Sequence, residues 1–380
     1  MQALCIYAGP KARQHIAEHG LQARDVGVVP GAAGGPKGLI LGPLDRFIFG
    51  NWLTQSDQPV HLVGASIGAW RMATACLTQP VAAFERLERD YIAQHYELKP
   101  GQTRPTADFV SERFGESLKS FYGGRVAEVL THTRYKLHVV TSRGRHVLGR
   151  EHKVATPLGY LGAFLTNGVN RKAMGAWLER VVFSTAGAAL PFATSDYKTR
   201  QVALSEYNFN PALQASCSIP FVLRSVRDIP GAPPGAYWDG GITDYHLHLN
   251  YNASDLRAQE AEQSRAGDSL DAVINPMGAK IVLYPHFQKA VVPGWLDKSL
   301  KWRHKSTHFL DSMVLLAPNP EWIKTLPNGK LPDRTDFTRY GNDLAGRVKA
   351  WTAAVSASQQ MADEFAAWLD RPDSLQVNAL

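Results

Sequence analysis

Two segments of this chain follow the same order of events. DVGVV at 25–29 and PVHLV at 59–63 are short apolar runs rich in β-branched residues, the length of a buried strand. Each ends in a glycine-containing turn, and each turn opens a helical pattern. After the first, Leu39, Ile40, Leu44, Phe47 and Ile48 recur at helical spacing; after the second comes AWRMATACL. Strand, turn and helix twice in succession predict a doubly wound, mainly parallel sheet, because parallel neighbours need a crossover and the helix supplies it.

The rest of the chain extends this pattern. Strands are expected at 3–8, 135–141, 180–184, 200–204 and 280–285. Helices are expected at 11–20, at 81–96, and at 109–130 with a break at Gly123 and Gly124. Asn210 reads as a helix cap with Pro211 at the first helical position, and 342–369 as one long amphipathic helix stopped by Pro372. Residues 253–272 are polar and read as an exposed helix or a connector. The fold class is therefore α/β, with a division at residue 255 into a first domain, 1–255, and a C-terminal helical extension, 256–380, packed on it.

Composition narrows the function. A chain of 380 residues needs neither disulfides nor a metal to build a core. Its three cysteines, Cys5, Cys76 and Cys217, are widely spaced in apolar or small-residue settings and read as free buried thiols. No metal cluster, cofactor motif or calcium-type acidic loop is visible. The net charge of +7 permits attraction to acidic surfaces without establishing it. The N-terminal MQALCIYAGPKARQHI lacks the basic start and long apolar core of a signal peptide, and no run of about eighteen apolar residues exists. The expected location is the cytoplasm, with peripheral membrane contact left open.

The two turns carry the chemistry. GAAGGPKG at 31–38 fails as a phosphate loop at two points: Pro36 stands where the second glycine is needed, and Gly38 where a Mg²⁺-binding hydroxyl is needed. It remains either a tight turn or a cradle for another negative charge. Gly64-Ala65-Ser66-Ile67-Gly68 is a G-x-S-x-G nucleophile elbow in the strand-to-helix context that the motif requires; the plainer reading is a helix start capped by Ser66. A serine nucleophile needs a base. His246 or His248 after Asp239 can fill that role, and so can Asp239 itself, in Tyr237-Trp238-Asp239-Gly240-Gly241. Asp-Gly is also a common turn pair.

Three of these stretches together resemble the patatin-like phospholipase family. Gly34-Gly35-Pro36-Lys37-Gly38 is similar to its oxyanion loop, Gly64-Ala65-Ser66-Ile67-Gly68 to its elbow, and Asp239-Gly240-Gly241 to its D-G-[GA] motif. ASCSIPF, 215–221, is similar to its small-residue block before the aspartate, and the likeness runs over roughly 25–250. The resemblance implies a three-layer α/β/α fold with a mainly parallel central sheet. It implies hydrolysis of acyl esters, typically lipids, by a dyad of Ser66 and Asp239 without histidine. It also implies an oxyanion hole of backbone N–H groups around Gly34, Gly35, Lys37 and Gly38. Gly64, Gly68, Gly240 and Gly241 would leave room at the elbow and the dyad loop. The 1–255 domain is then the catalytic one. No cofactor or metal is implied. Lys37 would add positive field or pair with a carboxylate.

Two features depart from the family or fall outside it. Ile242-Thr243-Asp244-Tyr245-His246 stands where relatives carry an Asn and Pro pattern, which points to a different substrate preference. Between Phe287 and His308, five basic residues (Lys289, Lys298, Lys301, Arg303 and Lys305) face the single acid Asp297, with Trp295, Leu296 and Trp302 interleaved. That stretch is either a solvated segment with tryptophans on the core or an interfacial surface for anionic lipid. No nucleic-acid fold accompanies it. The alternatives to an acyl hydrolase are an acyltransferase using the same dyad and a non-catalytic membrane-surface binding protein. The oligomeric state is open.

Overall fold

The computed structural model describes residues 1–96, 105–252, 254–256, 259 and 281–380. Its centre is a mixed, mostly parallel sheet flanked by helices. The strands are β1 (Leu4–Ala8), β2 (Val26–Gly31), β3 (Val60–Ala65), β4 (Tyr135–Gly144), β5 (Leu178–Ser184) and β6 (Thr199–Ala203). They continue with β7 (Val226–Arg227), β8 (Ala236–Asp239), β9 (Ile281–Pro285), β10 (Met313–Pro318) and β11 (Val377–Ala379). Their order across the sheet is β11-β1-β10-β9-β2-β3-β4-β5-β6. The run β10-β9-β2-β3-β4 is parallel, while β1 and β5 join it antiparallel. Every residue of β3 and β5 is buried, as expected for strands with both faces covered.

Strand β4 positions the site. Its first half pairs with β3 in parallel, Val60↔Tyr135 through Ala65↔Val140. Its second half pairs with β8 antiparallel, Thr141↔Asp239 through Arg143↔Tyr237. The other edge of β4 is taken by β5. Strands β3 and β8 therefore share one edge and run toward each other, so their C-terminal ends meet at the step from Val140 to Thr141.

Several elements differ from the sequence expectation. Beyond the expected strand at 280–285, which is β9 and lies between β10 and β2, the stretch after residue 255 also supplies β10 and β11 to the central sheet. The expected helix 342–369 is two helices, Leu344–Ala357 and Gln359–Asp370. They part at Ser358, whose hydroxyl turns back to donate to the Val355 carbonyl at 2.7 Å. The helix expected at Asn210 spans Phe209–Ser216 behind Asn208. Pro211 still falls in its first turn, where a missing N–H costs no helical bond. Cys76 is buried, but Cys5 and Cys217 are only half-buried. Apart from 254–256 and 259, the polar stretch 253–272 lies outside the described residues.

Candidate active site

Ser66 follows β3 directly and precedes the buried helix Ile67–Ala75. Its backbone is strained: φ is 56° and ψ is −132° in a residue that is not glycine. Such a conformation costs on the order of 1–3 kcal/mol and persists only when surrounding structure enforces it. The enforcement is visible. The Ser66 N–H donates to Ser216 Oγ at 2.9 Å, and Ser216 Oγ donates to the Val140 carbonyl at 2.7 Å. One buried hydroxyl thus ties the elbow to β4.

The glycines around the elbow are required by close approach. A Cβ on Gly68 would lie 1.8 Å from the Gly31 carbonyl oxygen, and one on Gly64 would lie 2.3 Å from Ala69 Cα. The first strand-to-helix turn therefore packs backbone against backbone on the second. In the turn after Asp239, a Cβ on Gly240 would lie 2.1 Å from the Val140 carbonyl oxygen, and one on Gly241 would lie 2.7 Å from Ala33 Cβ.

The Ser66 hydroxyl donates to Asp239 Oδ2 at 2.7 Å. The other carboxylate oxygen of Asp239 accepts from Gly241 N–H at 2.7 Å, and the Asp239 amide donates to the Ser218 carbonyl at 2.9 Å. Burial pushes the Asp239 carboxyl up to about 6, against the opposing pull of the Ser66 hydrogen bond, of the Arg334 and Lys298 charges and of the Gly241 amide. A carboxylate poised there still carries its charge at neutral pH and can accept a proton.

The histidines do not reach this pair. His246 Nδ1 lies 3.0 Å from the Ala290 carbonyl and His248 Nδ1 lies 2.9 Å from the Val291 carbonyl. Burial holds both imidazoles down, His248 at about 4. Of the three candidates left open by the residues alone, His246, His248 and Asp239, the structure brings Asp239 to the serine.

Gly34 and Lys37 line the same cavity as Ser66 and Asp239; it holds about 220 Å³. Gly35 begins a tight helical turn that runs to Leu41, with φ at +57°, and Gly38 sits within that turn. Among the described residues, the N–H groups of Gly34 and Gly35 donate no hydrogen bond. Lys37 sits 5.5 Å from the centre of the Phe287 ring. Burial lowers its ammonium pKa, and Asp333 opposes that.

Two cations of this cavity were not assigned to it from sequence. Lys298 belongs to the basic, tryptophan-containing stretch; its ammonium lies 3.9 Å from the centre of the Tyr245 ring, and Trp295 also lines the cavity. Burial together with the Arg334 and Lys37 charges lowers it to about 8. Arg334, in Asp333-Arg334-Thr335, carries no sequence signal of its own. Ser216 was visible as part of ASCSIPF, but its tie to the Ser66 amide was not.

The segment after Gly241 is clamped from behind. Asp244 accepts two bonds from the fully buried Arg180 guanidinium, at 2.8 and 2.7 Å. Arg171 reaches Asp244, the Thr243 carbonyl and Asp297. Ile242 and Tyr245, on either side of this clamp, face the cavity.

No family model matches the chain, and no curated protein does. Among solved structures it is similar to human GIVD cytosolic phospholipase A2, at 11% sequence identity and a TM-score of 0.42. That likeness covers 96% of this chain and 62% of the other, so the chain spans less than two thirds of that protein.

Proposed function

We propose that the chain is a carboxylic ester hydrolase of the lipid acyl hydrolase type, working through an acyl-enzyme on Ser66 with Asp239 as its base. The observation that carries this reading is the hydrogen bond of 2.7 Å from a strained, cavity-facing serine to a buried carboxylate. A buried serine hydroxyl is satisfied by a backbone carbonyl, as Ser216 is by Val140, so packing alone calls for no buried carboxylate, and the strain at φ 56° has no structural use in a simple helix cap.

The reaction proceeds in two halves. Ser66 Oγ bonds to the ester carbonyl carbon while Asp239 takes the hydroxyl proton. The carbonyl oxygen becomes an oxyanion next to the Gly34–Gly38 turn, where the unpaired N–H groups of Gly34 and Gly35 are donors and Lys37 adds positive field. Lys37 and Gly38 were expected to contribute amides as well; Gly38 shapes the turn from inside it. Pro36 offers no N–H. Collapse breaks the ester C–O bond, and the leaving oxygen takes the proton back from Asp239. Water then attacks the acyl carbon, Asp239 accepts its proton, and Ser66 Oγ leaves and is reprotonated. One carboxylic acid and one alcohol result.

The lining supports the substrate class. Ile219, Ile242, Tyr245 and Trp295 offer apolar contact for an acyl chain, and Lys37, Lys298 and Arg334 outnumber the acids Asp239 and Asp333 on the cavity wall. Esters bearing an anionic group near the scissile bond fit this wall, phospholipids among them. The test is hydrolysis of p-nitrophenyl esters and of a phospholipid panel, read by mass spectrometry, with Ser66→Ala as control. Full activity in Ser66→Ala overturns the reading.

A further inference from the structure

The helix Ala155–Val169 is built inside out. A surface helix of a globular protein buries its large apolar residues and exposes polar ones. Here the buried positions are Thr156, Gly159, Tyr160, Ala163 and Asn167, mostly small or polar. The outward positions are large and apolar: Leu158 is 60% exposed, Leu161 52%, Leu165 59% and Val169 88%. No charged residue occurs from Val154 to Asn170. At fifteen residues the helix is about 22 Å long, too short to span a bilayer.

Two neighbours enlarge this face. Arg303 donates to the Asn167 side chain and to the Gly168 carbonyl, each at 3.2 Å, which places Trp302, 64% exposed, beside the end of the helix. At its buried side, Tyr160 stacks edge-on against Phe221 and against Trp238, the residue before Asp239. Phe221 is 64% exposed and is held with φ at +68°, a strained backbone that turns an aromatic ring outward two positions after the cavity residue Ile219. Phe221 thus adds an exposed apolar side chain between the buried side of the helix and the cavity residue Ile219.

We infer that this face, formed by the helix 155–169 with Phe221 and Trp302, docks on an anionic lipid surface and brings the cavity to it. The charge around it selects this occupant. Lys153 before the helix, Lys172 after it, and Lys301 and Lys305 beside Trp302 are all exposed. A second copy of the chain would bring these cations against one another, whereas anionic headgroups neutralise them while the leucines enter the acyl boundary. Affinity for lipid stands by itself; only the service of this face to catalysis rests on the proposed ester hydrolysis.

The experiment separates the two. The 380-residue chain carrying Ser66→Ala is sedimented with vesicles of phosphatidylcholine alone and of phosphatidylcholine mixed with phosphatidylglycerol, at low and high salt. Binding is expected to the mixed vesicles and to weaken with salt. Leu158→Asp with Leu165→Asp is expected to lower it by about tenfold or more, and Lys153→Glu with Lys172→Glu to remove the preference for phosphatidylglycerol. In the otherwise wild-type chain, the same substitutions should leave hydrolysis of a soluble p-nitrophenyl ester unchanged. They replace exposed side chains, so folding is checked by thermal unfolding. Two results overturn the inference: equal vesicle binding by the folded leucine variant, or a wild-type dimer that this variant splits while vesicles are ignored. Vesicle binding without any esterase turnover would sink the hydrolase reading and leave the docking surface standing.

Discussion

Ser66 and Asp239 are 173 positions apart, and their side chains meet at 2.7 Å. They meet because Ala65 pairs with Val140 and Asp239 pairs with Thr141, adjacent residues on one edge of β4. Two strands arriving head to head on a shared edge place a serine and a carboxylate with the precision of a hydrogen-bond ladder rather than of a loop. The first consequence concerns turnover. Ser66→Ala and Asp239→Asn are each expected to lower kcat/KM for p-nitrophenyl esters by about a thousandfold or more, by analogy with serine triads. Steady-state kinetics on the two folded variants checks this.

The same carboxylate predicts a pH profile. With the Asp239 carboxyl raised to about 6, the proposed base is protonated and idle below that value. The rate should therefore rise with pH through about 6 and flatten above it. A profile already flat from pH 5 would remove Asp239 as the base.

Asp239 also predicts a trade between stability and activity. Its pKa is raised from 3.8 to about 6 on folding, chiefly by burial. The folded state then holds the proton more tightly than the unfolded state. That contribution is fully present below about pH 4 and is lost as pH rises through about 6. At pH 8 the buried charge costs up to about 3 kcal/mol. Asp239→Asn should raise the Tm at pH 8 and change it little at pH 4, measured by calorimetry at both values.

Ser216 gives a prediction about positioning. Its hydroxyl bridges the Ser66 amide and the Val140 carbonyl, both deep in the core. Ser216→Ala leaves these two groups without that partner, at a cost of about 1–3 kcal/mol each. Activity should fall through kcat with KM little changed, and Ser216→Thr should recover part of it. A variant with reduced stability but unaltered kcat would make Ser216 structural only.

The Asp244 clamp predicts a large loss of stability. Asp244→Ala strands the Arg180 charge at full burial, with Asp196 as its remaining partner. Removing one partner of such a buried pair costs about 3–5 kcal/mol. Urea unfolding should show a lower midpoint at unchanged slope. Since Ile242 and Tyr245 flank the clamp, KM should rise as well.

What was readable in the sequence was local. The two strand-to-helix turns, the glycines that let them touch, the elbow serine and the Asp-Gly-Gly turn are set by backbone sterics within a few residues, and those sterics leave a pattern in the chain. The break at Ser358 was not readable, because one hydroxyl turning back onto the previous helical turn leaves the apolar spacing intact. Nor was the face of 155–169: it carries no charge to mark a solvent side, and only packing against Trp177, Leu148 and Trp238 decides which side is covered.

The sequence alone therefore determined an α/β sheet with a serine on its second turn, since period, β-branching and glycine placement act over short range. The tertiary structure decided what that serine faces. The entry of β9 between β2 and β10, the meeting of β3 with β8, and the arrival of Lys298 and Arg334 at the cavity all join residues far apart in the chain. Such contacts depend on strand order and on burial shared between distant segments, and neither quantity is encoded in any one stretch.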